Sequence, residues 1–134
     1  MIRPIVVALL LVSATVGAAE DSGKSGFRVR EIGECSESGR GAYGPDKLRA
    51  RRNGASIVVS GQVAMNCAAS PRNPTADFTP ASVSLSFEEL SETGEYVRCK
   101  CSKKIEFTLL ERVAPGTPIL LLRNGTVSAR TSAP

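Results

Sequence analysis

Four cysteines, Cys35, Cys67, Cys99 and Cys101, are the residues of this 134-residue chain best equipped for chemistry. Cys99-Lys100-Cys101 is the tightest spacing among them. On an extended strand, residues i and i+2 point to one face about 6–7 Å apart. A disulfide needs Cα atoms within roughly 6.8 Å and convergent Cβ vectors, so bonding inside this pair is awkward. Two parallel bridges running from the pair to Cys35 and Cys67 are easier to build. Four cysteines allow three connectivities. The expectation is that Cys67 joins one member of the pair and Cys35 the other, with the assignment left open.

The same sulfurs could instead form a four-thiolate site for zinc or copper(I), or a redox centre. No histidine exists in the chain to assist, and the C-x2-C knuckles of such sites are missing. Thiol–disulfide enzymes place a C-x-x-C motif at a helix start, where the cysteine pKa falls. A strand-like C-x-C lacks that setting. The cysteines are therefore read as structural disulfides, with no metal and no cofactor. Without histidine, Ser-His-Asp and Cys-His arrangements cannot form, and the commonest general base is gone. The acid pairs Glu88 with Glu89 and Glu92 with Glu95 are better read as solvated acids, since carboxylates are mostly exposed without special purpose. No glycine-rich phosphate loop follows a strand. The expected catalytic set is empty, and the chain is not read as an enzyme. Asn124-Gly125-Thr126 fits a glycosylation sequon, but Asn-Gly at a hairpin tip already explains these residues.

One dense basic cluster stands out, Lys47-Leu48-Arg49-Ala50-Arg51-Arg52. Its ordinary reading is a solvated loop or strand face. Its sharper reading is a contact surface made by Lys47, Arg49, Arg51 and Arg52 for an anionic partner, such as lipopolysaccharide or an acidic protein. The formal charge of +4 is mild for a nucleic-acid binder, which usually carries a stronger and more clustered excess. The expected partners are an envelope or extracellular protein, a glycan or an anionic lipid, and not nucleic acid.

The start of the chain sets the compartment. Met1-Ile2-Arg3, the apolar run Ile5 to Val12 and the small residues Val16-Gly17-Ala18-Ala19 form an export signal, cleaved after Ala18 or Ala19. The uncharged stretch is shorter than the roughly 20 residues a spanning helix needs, so no transmembrane segment is expected in the mature chain. Without Arg3, sixteen basic residues face thirteen acidic ones. A periplasmic or secreted location follows, and with it an oxidising environment for the cysteines. The division reads as a signal peptide at 1–19, a flexible lead-in at 20–26, one domain at 27–130 and a disordered tail at 131–134. A core of this modest size gains from cross-links. A disulfide closing about 30 residues contributes roughly 2–4 kcal/mol.

The elements that must position these residues read as strands. Phe27 and Val29 alternate with arginines. Ala55 to Cys67 is β-branched at Ile57, Val58 and Val59, with Gly61 suggesting a bulge or bend. Val83, Leu85 and Phe87 alternate with serines, the mark of a half-buried strand. Glu92 to Glu95 reads as a hairpin turn, returning through Tyr96 to Cys101 with Val97, Cys99 and Cys101 on the core face. Ile105 to Leu110 alternates again, and Asn124-Gly125 joins two final strands with Leu122 opposite Val127 and Leu120 opposite Ala129. Ala68 to Pro80, with three prolines, reads as a loop and a second candidate contact surface. Pro45 to Arg52 could hold a helical turn. About seven strands without an amphipathic helix argue for an all-β fold, a small antiparallel two-sheet sandwich of immunoglobulin-like architecture.

Asn66-Cys67, Arg98-Cys99-Lys100-Cys101 and the following Ile105-Glu106-Phe107-Thr108-Leu109 resemble a pattern in uncharacterised bacterial secreted β-rich proteins. There an Asn-Cys-Cys segment precedes a Cys-x-Cys strand and a Pro-Gly turn like Pro115-Gly116. Here Ala68 replaces the second cysteine of the first motif. The resemblance implies a periplasmic or extracellular β-sandwich and no particular activity. The expected function is a non-enzymatic, disulfide-stabilised binding module. The alternatives are a cysteine-based metal or redox protein and a small inhibitor of a secreted hydrolase.

Overall fold

The computed structural model describes residues 26–32 and 45–134. The expected signal peptide and Cys35 lie outside these residues. Eight strands follow in chain order: β1 (Phe27–Ile32), β2 (Lys47–Asn53), β3 (Ser56–Asn66), β4 (Ala69–Phe78), β5 (Val83–Ser91), β6 (Lys100–Leu109), β7 (Pro118–Arg123) and β8 (Thr126–Ser132). They form two four-stranded sheets, ordered β1-β6-β3-β2 and β4-β5-β7-β8. No helix occurs among the described residues. The fold is an all-β two-sheet sandwich. The first sheet is antiparallel throughout, whereas the second contains one parallel pair, β5 with β7.

Alternation fills the space between the sheets. The first sheet contributes Ile57, Val59, Val63 and Met65 from β3, with Ile105, Phe107 and Leu109 from β6. The second supplies Val83, Leu85 and Phe87 from β5, with Ile119 and Leu121 from β7. Fully burying each such side chain stabilises the fold by about 1.5–3 kcal/mol. Gly61 sits in this layer for a different reason than the sequence suggests. The register runs unbroken through it, between Leu48 and Ile105, so it makes no bulge. A Cβ there would lie 3.1 Å from Ile105 Cγ2 and 3.3 Å from Leu121 Cδ2. Glycine lets the sheets close at this point.

Several elements depart from the sequence reading. Residues 47–53 form a seven-residue strand rather than a helical turn, because they pair with β3 along their whole length. Ala69–Phe78 is strand β4, not a loop. It is an edge strand, and a register shift between Arg72 and Thr75 takes up Asn73 and Pro74. Proline is tolerated there because an edge strand needs only one hydrogen-bonded side. Glu92 to Glu95 does turn, with Gly94 at φ 76°, but it makes no hairpin. It carries the chain from β5 in one sheet towards β6 in the other. Tyr96 to Cys99 lies outside any strand, and Val97 is 50% exposed. The expected common core face therefore holds for Cys101, which is 2% exposed, and not for Val97 or the half-buried Cys99.

At the other hairpin, Asn124 and Gly125 take φ of 48° and 80°, the left-handed values a tight turn needs. Leu122 faces Val127, and a register shift at Leu121/Leu122 puts Ala129 opposite Leu121 instead of Leu120. The end of the chain is not a tail. Thr131 and Ser132 belong to β8, and Ala133 is buried, its N–H donating to the Thr117 carbonyl at 2.9 Å.

Candidate functional site

Strand β2 turns Leu48 and Ala50 towards the core and exposes Lys47, Arg49 and Arg51. Pairing then fixes what lies beside these cations on the outer face of the first sheet. Lys47 is opposite Gln62, which is opposite Lys104. Arg49 is opposite Ser60, which is opposite Glu106, and Arg30 of β1 completes that row. Arg51, Val58, Thr108 and Arg28 form the next. Arg28 and Arg30 are exposed because their neighbours Phe27 and Val29 pack against the core.

The outcome is two rails of positive charge on the edge strands, with a floor between them that is polar except at the buried Val58. Residues along one rail repeat every two positions, about 6.8 Å, and the rails stand three strand spacings apart, about 14 Å. A depression of about 380 Å³ opens on the β2 side of this face, lined by Lys47, Arg49, Ser60, Gln62, Lys104 and Glu106. On the floor, the Gln62 amide donates to Ser102 Oγ at 2.9 Å. Among the described residues, none of Arg28, Arg30, Lys47, Arg49, Arg51 and Lys104 enters an ion pair, and Glu106 is the one acid on the face. Other cations are matched: Arg72 with Glu92 at 2.6 Å and Arg123 with Asp46 at 2.8 Å.

Of the four basic residues singled out in the sequence, three share this face. Arg52 does not: alternation turns it to the opposite side of β2, level with Ile57, where its guanidinium donates to the Pro134 backbone oxygen at 2.6 Å. Arg28, Arg30 and Lys104 belong to the face although they lie far from the cluster in sequence. The alternation of Arg28 and Arg30 with apolar neighbours is the signal that marks them as outward. The proline-bearing segment contributes an edge of the opposite sheet and adds nothing here.

Cys67, Cys99 and Cys101 gather at one end of the sandwich. Cys67 and Cys99 form a disulfide with Cα atoms 5.4 Å apart and a sequence separation of 32, and Cys101 is also disulfide-bonded. Asn66 organises this end. Its amide nitrogen donates to the Val97 carbonyl at 2.6 Å, and its side-chain oxygen accepts from Val97 N–H at 3.3 Å and Ala68 N–H at 3.0 Å. A polar cluster continues from it. Glu89 accepts from the Asn66 backbone N–H at 2.7 Å and Asp46 from Ala64 N–H at 3.1 Å. Arg123 lies between the two carboxylates, 2.8 Å from Asp46 and 3.7 Å from Glu89. Past the end of β2, these carboxylates take the place of a pairing strand for β3. Lys103 points inward among apolar neighbours, and its ammonium donates to the Ala69 carbonyl.

Three of the four paired acids have structural partners: Glu88 accepts from the Asn73 amide, Glu89 accepts from β3 and Glu92 binds Arg72. Among the described residues, no three His, Cys, Asp or Glu side chains are grouped to hold a metal ion. Comparison with known proteins finds no matching family model, curated protein or solved structure. The arrangement's chemical capacity is therefore what its own side chains supply: anion attraction by the rails and hydrogen bonding by the floor.

Proposed function

We propose that this protein is an exported, non-enzymatic binding module, a disulfide-stapled β-sandwich that works in the periplasm or outside the cell through the outer face of its first sheet. The observation that carries the proposal is a set of six cations on a single face without ion-pair partners among the described residues. Like charges held together repel, and a surface that keeps them so raises the local concentration of anions and speeds their approach. The export signal and the oxidised cysteines support the location. A four-thiolate metal site needs reduced sulfurs, whereas Cys67, Cys99 and Cys101 are all in disulfides.

Co-sedimentation with a bacterial envelope fraction tests the proposal. The wild-type protein should bind in a salt-sensitive way, because exposed charges are screened within about 10 Å at 0.1 M salt. The triple variant Lys47→Gln, Arg49→Gln, Arg51→Gln should lose at least tenfold in bound fraction while keeping its melting temperature. Equal binding by the two proteins, or none by either, defeats the proposal.

A further inference from the structure

We infer that the outer face of the first sheet binds a linear acidic polysaccharide, laid along the strands between the two cationic rails. The inference rests on the binding role proposed above and names the chemistry of the ligand.

The floor of the face decides among polyanions. A surface built only for charge would keep carboxylates out. Here Glu106 lies in the middle row, between Arg30 on one side and Ser60 and Arg49 on the other. It is half-buried and has no ion-pair partner among the described residues. A carboxylate only accepts hydrogen bonds, while serine, threonine and glutamine side chains both donate and accept. Glu106, Ser60, Thr108 and Gln62 thus form a strip suited to hydroxyl groups, flanked by groups suited to carboxylate, sulfate or phosphate. A ligand carrying hydroxyls along its length and anions at intervals satisfies both. An acidic polysaccharide is that ligand.

The competing polyanions each lack a feature the face provides or need one it lacks. Single-stranded nucleic acid is held by aromatic side chains stacking on bases. Phe27 and Phe107 pack inward, and no aromatic residue is among the outward residues of β1, β2, β3 and β6 described above. A membrane surface favours apolar side chains that enter the headgroup boundary beside the basic ones. The exposed large apolar residues Leu90, Tyr96, Val97, Leu110 and Val127 all lie off this face. Lipid phosphates would also meet the Glu106 carboxylate directly. An acidic peptide would meet it in the same way and has few hydroxyls to offer.

The test uses four probes at equal charge concentration: a heparin-derived octasaccharide, phosphatidylglycerol vesicles, a polyglutamate peptide and single-stranded DNA. Calorimetry or fluorescence anisotropy reads affinity for the soluble probes, and co-sedimentation reads the vesicles. The octasaccharide should bind at least tenfold more tightly than each other probe. Lys47→Gln combined with Lys104→Gln should weaken it at least tenfold. The decisive variant is Glu106→Ala, which removes a negative charge from a positive face. Pure charge attraction predicts tighter binding of every probe. Hydroxyl recognition predicts octasaccharide binding weaker by at least threefold, with vesicle and DNA binding unchanged or stronger. Ser60→Ala gives an uncharged second check in the same direction. Melting curves establish that the variants are folded. A preference for vesicles, peptide or DNA, or tighter octasaccharide binding by Glu106→Ala, overturns the polysaccharide while leaving the binding role standing. Failure of all four probes, together with failure to bind envelope, overturns both.

Discussion

Asn66 shows how much one side chain can organise. It replaces a missing stretch of β-ladder, holding Val97 from both its donor and its acceptor groups. That contact brings Cys99 beside Cys67, where backbone Cys67 N–H also donates to the Cys99 carbonyl at 3.0 Å. Replacing Asn66 with alanine should strand the Val97 and Ala68 groups and lower stability by about 1–3 kcal/mol in a denaturant titration. Cys99→Ser removes the bridge itself, and a loss of roughly 2–4 kcal/mol is expected from the unfolded chain's added freedom. Binding to the envelope should fall only as far as folding does. Peptide mapping of the oxidised protein should recover Cys67 linked to Cys99, and Cys101 linked to Cys35, the remaining cysteine. At Gly61 the constraint is space. Gly61→Ala drives a methyl against Ile105 and Leu121, and overpacking of this kind costs about 1–3 kcal/mol in the same titration.

Among the elements, those that alternate strictly were legible and those that break a rule were not. Val83, Leu85 and Phe87 declare a half-buried strand, and their burial follows the pattern. Asn124-Gly125 declares its turn and the Leu122–Val127 pairing, but no residue announces the one-position shift beyond it. Strand β4 was hidden because Pro71 and Pro74 read as loop residues. Only its place at a sheet edge, a tertiary fact, makes them acceptable. The basic cluster was legible as a charged surface, and the face it joins was not, since pairing between distant strands brings Arg28, Arg30 and Lys104 alongside. Glu92 to Glu95 reads as a hairpin because a turn has the same local chemistry whether the next strand stays in the sheet or changes sheets. Strand position also predicts dynamics. Amides of β3 and β6, central in the first sheet, should exchange with solvent at least a hundredfold more slowly than those around Asn73 in β4. Exchange mapped by mass spectrometry would show the reverse if β4 were a firm part of the core.

Across the whole molecule, one end of the sandwich and one sheet face differ in what they hold. Crosslinks, the Asp46–Arg123–Glu89 cluster and Asn66 concentrate at one end, while the face of the first sheet is left to unpaired charge. This division allows surface cations to be exchanged with little effect on folding, since substitutions away from packed or bonded groups usually change stability by less than about 0.5 kcal/mol. The pairing of β1 with β6, Phe27 opposite Leu109, has a further effect, on timing. The first strand has no partner until residues 104–109 have been delivered, and the core strands β5 and β7 are likewise joined across distant parts of the chain. Such non-local topologies assemble in milliseconds to seconds rather than microseconds. Stopped-flow refolding of the disulfide-intact protein should fall in that slow range. A chain emerging from its amino terminus would stay unassembled and pliable during synthesis, open to being threaded through a narrow channel before the first sheet can close.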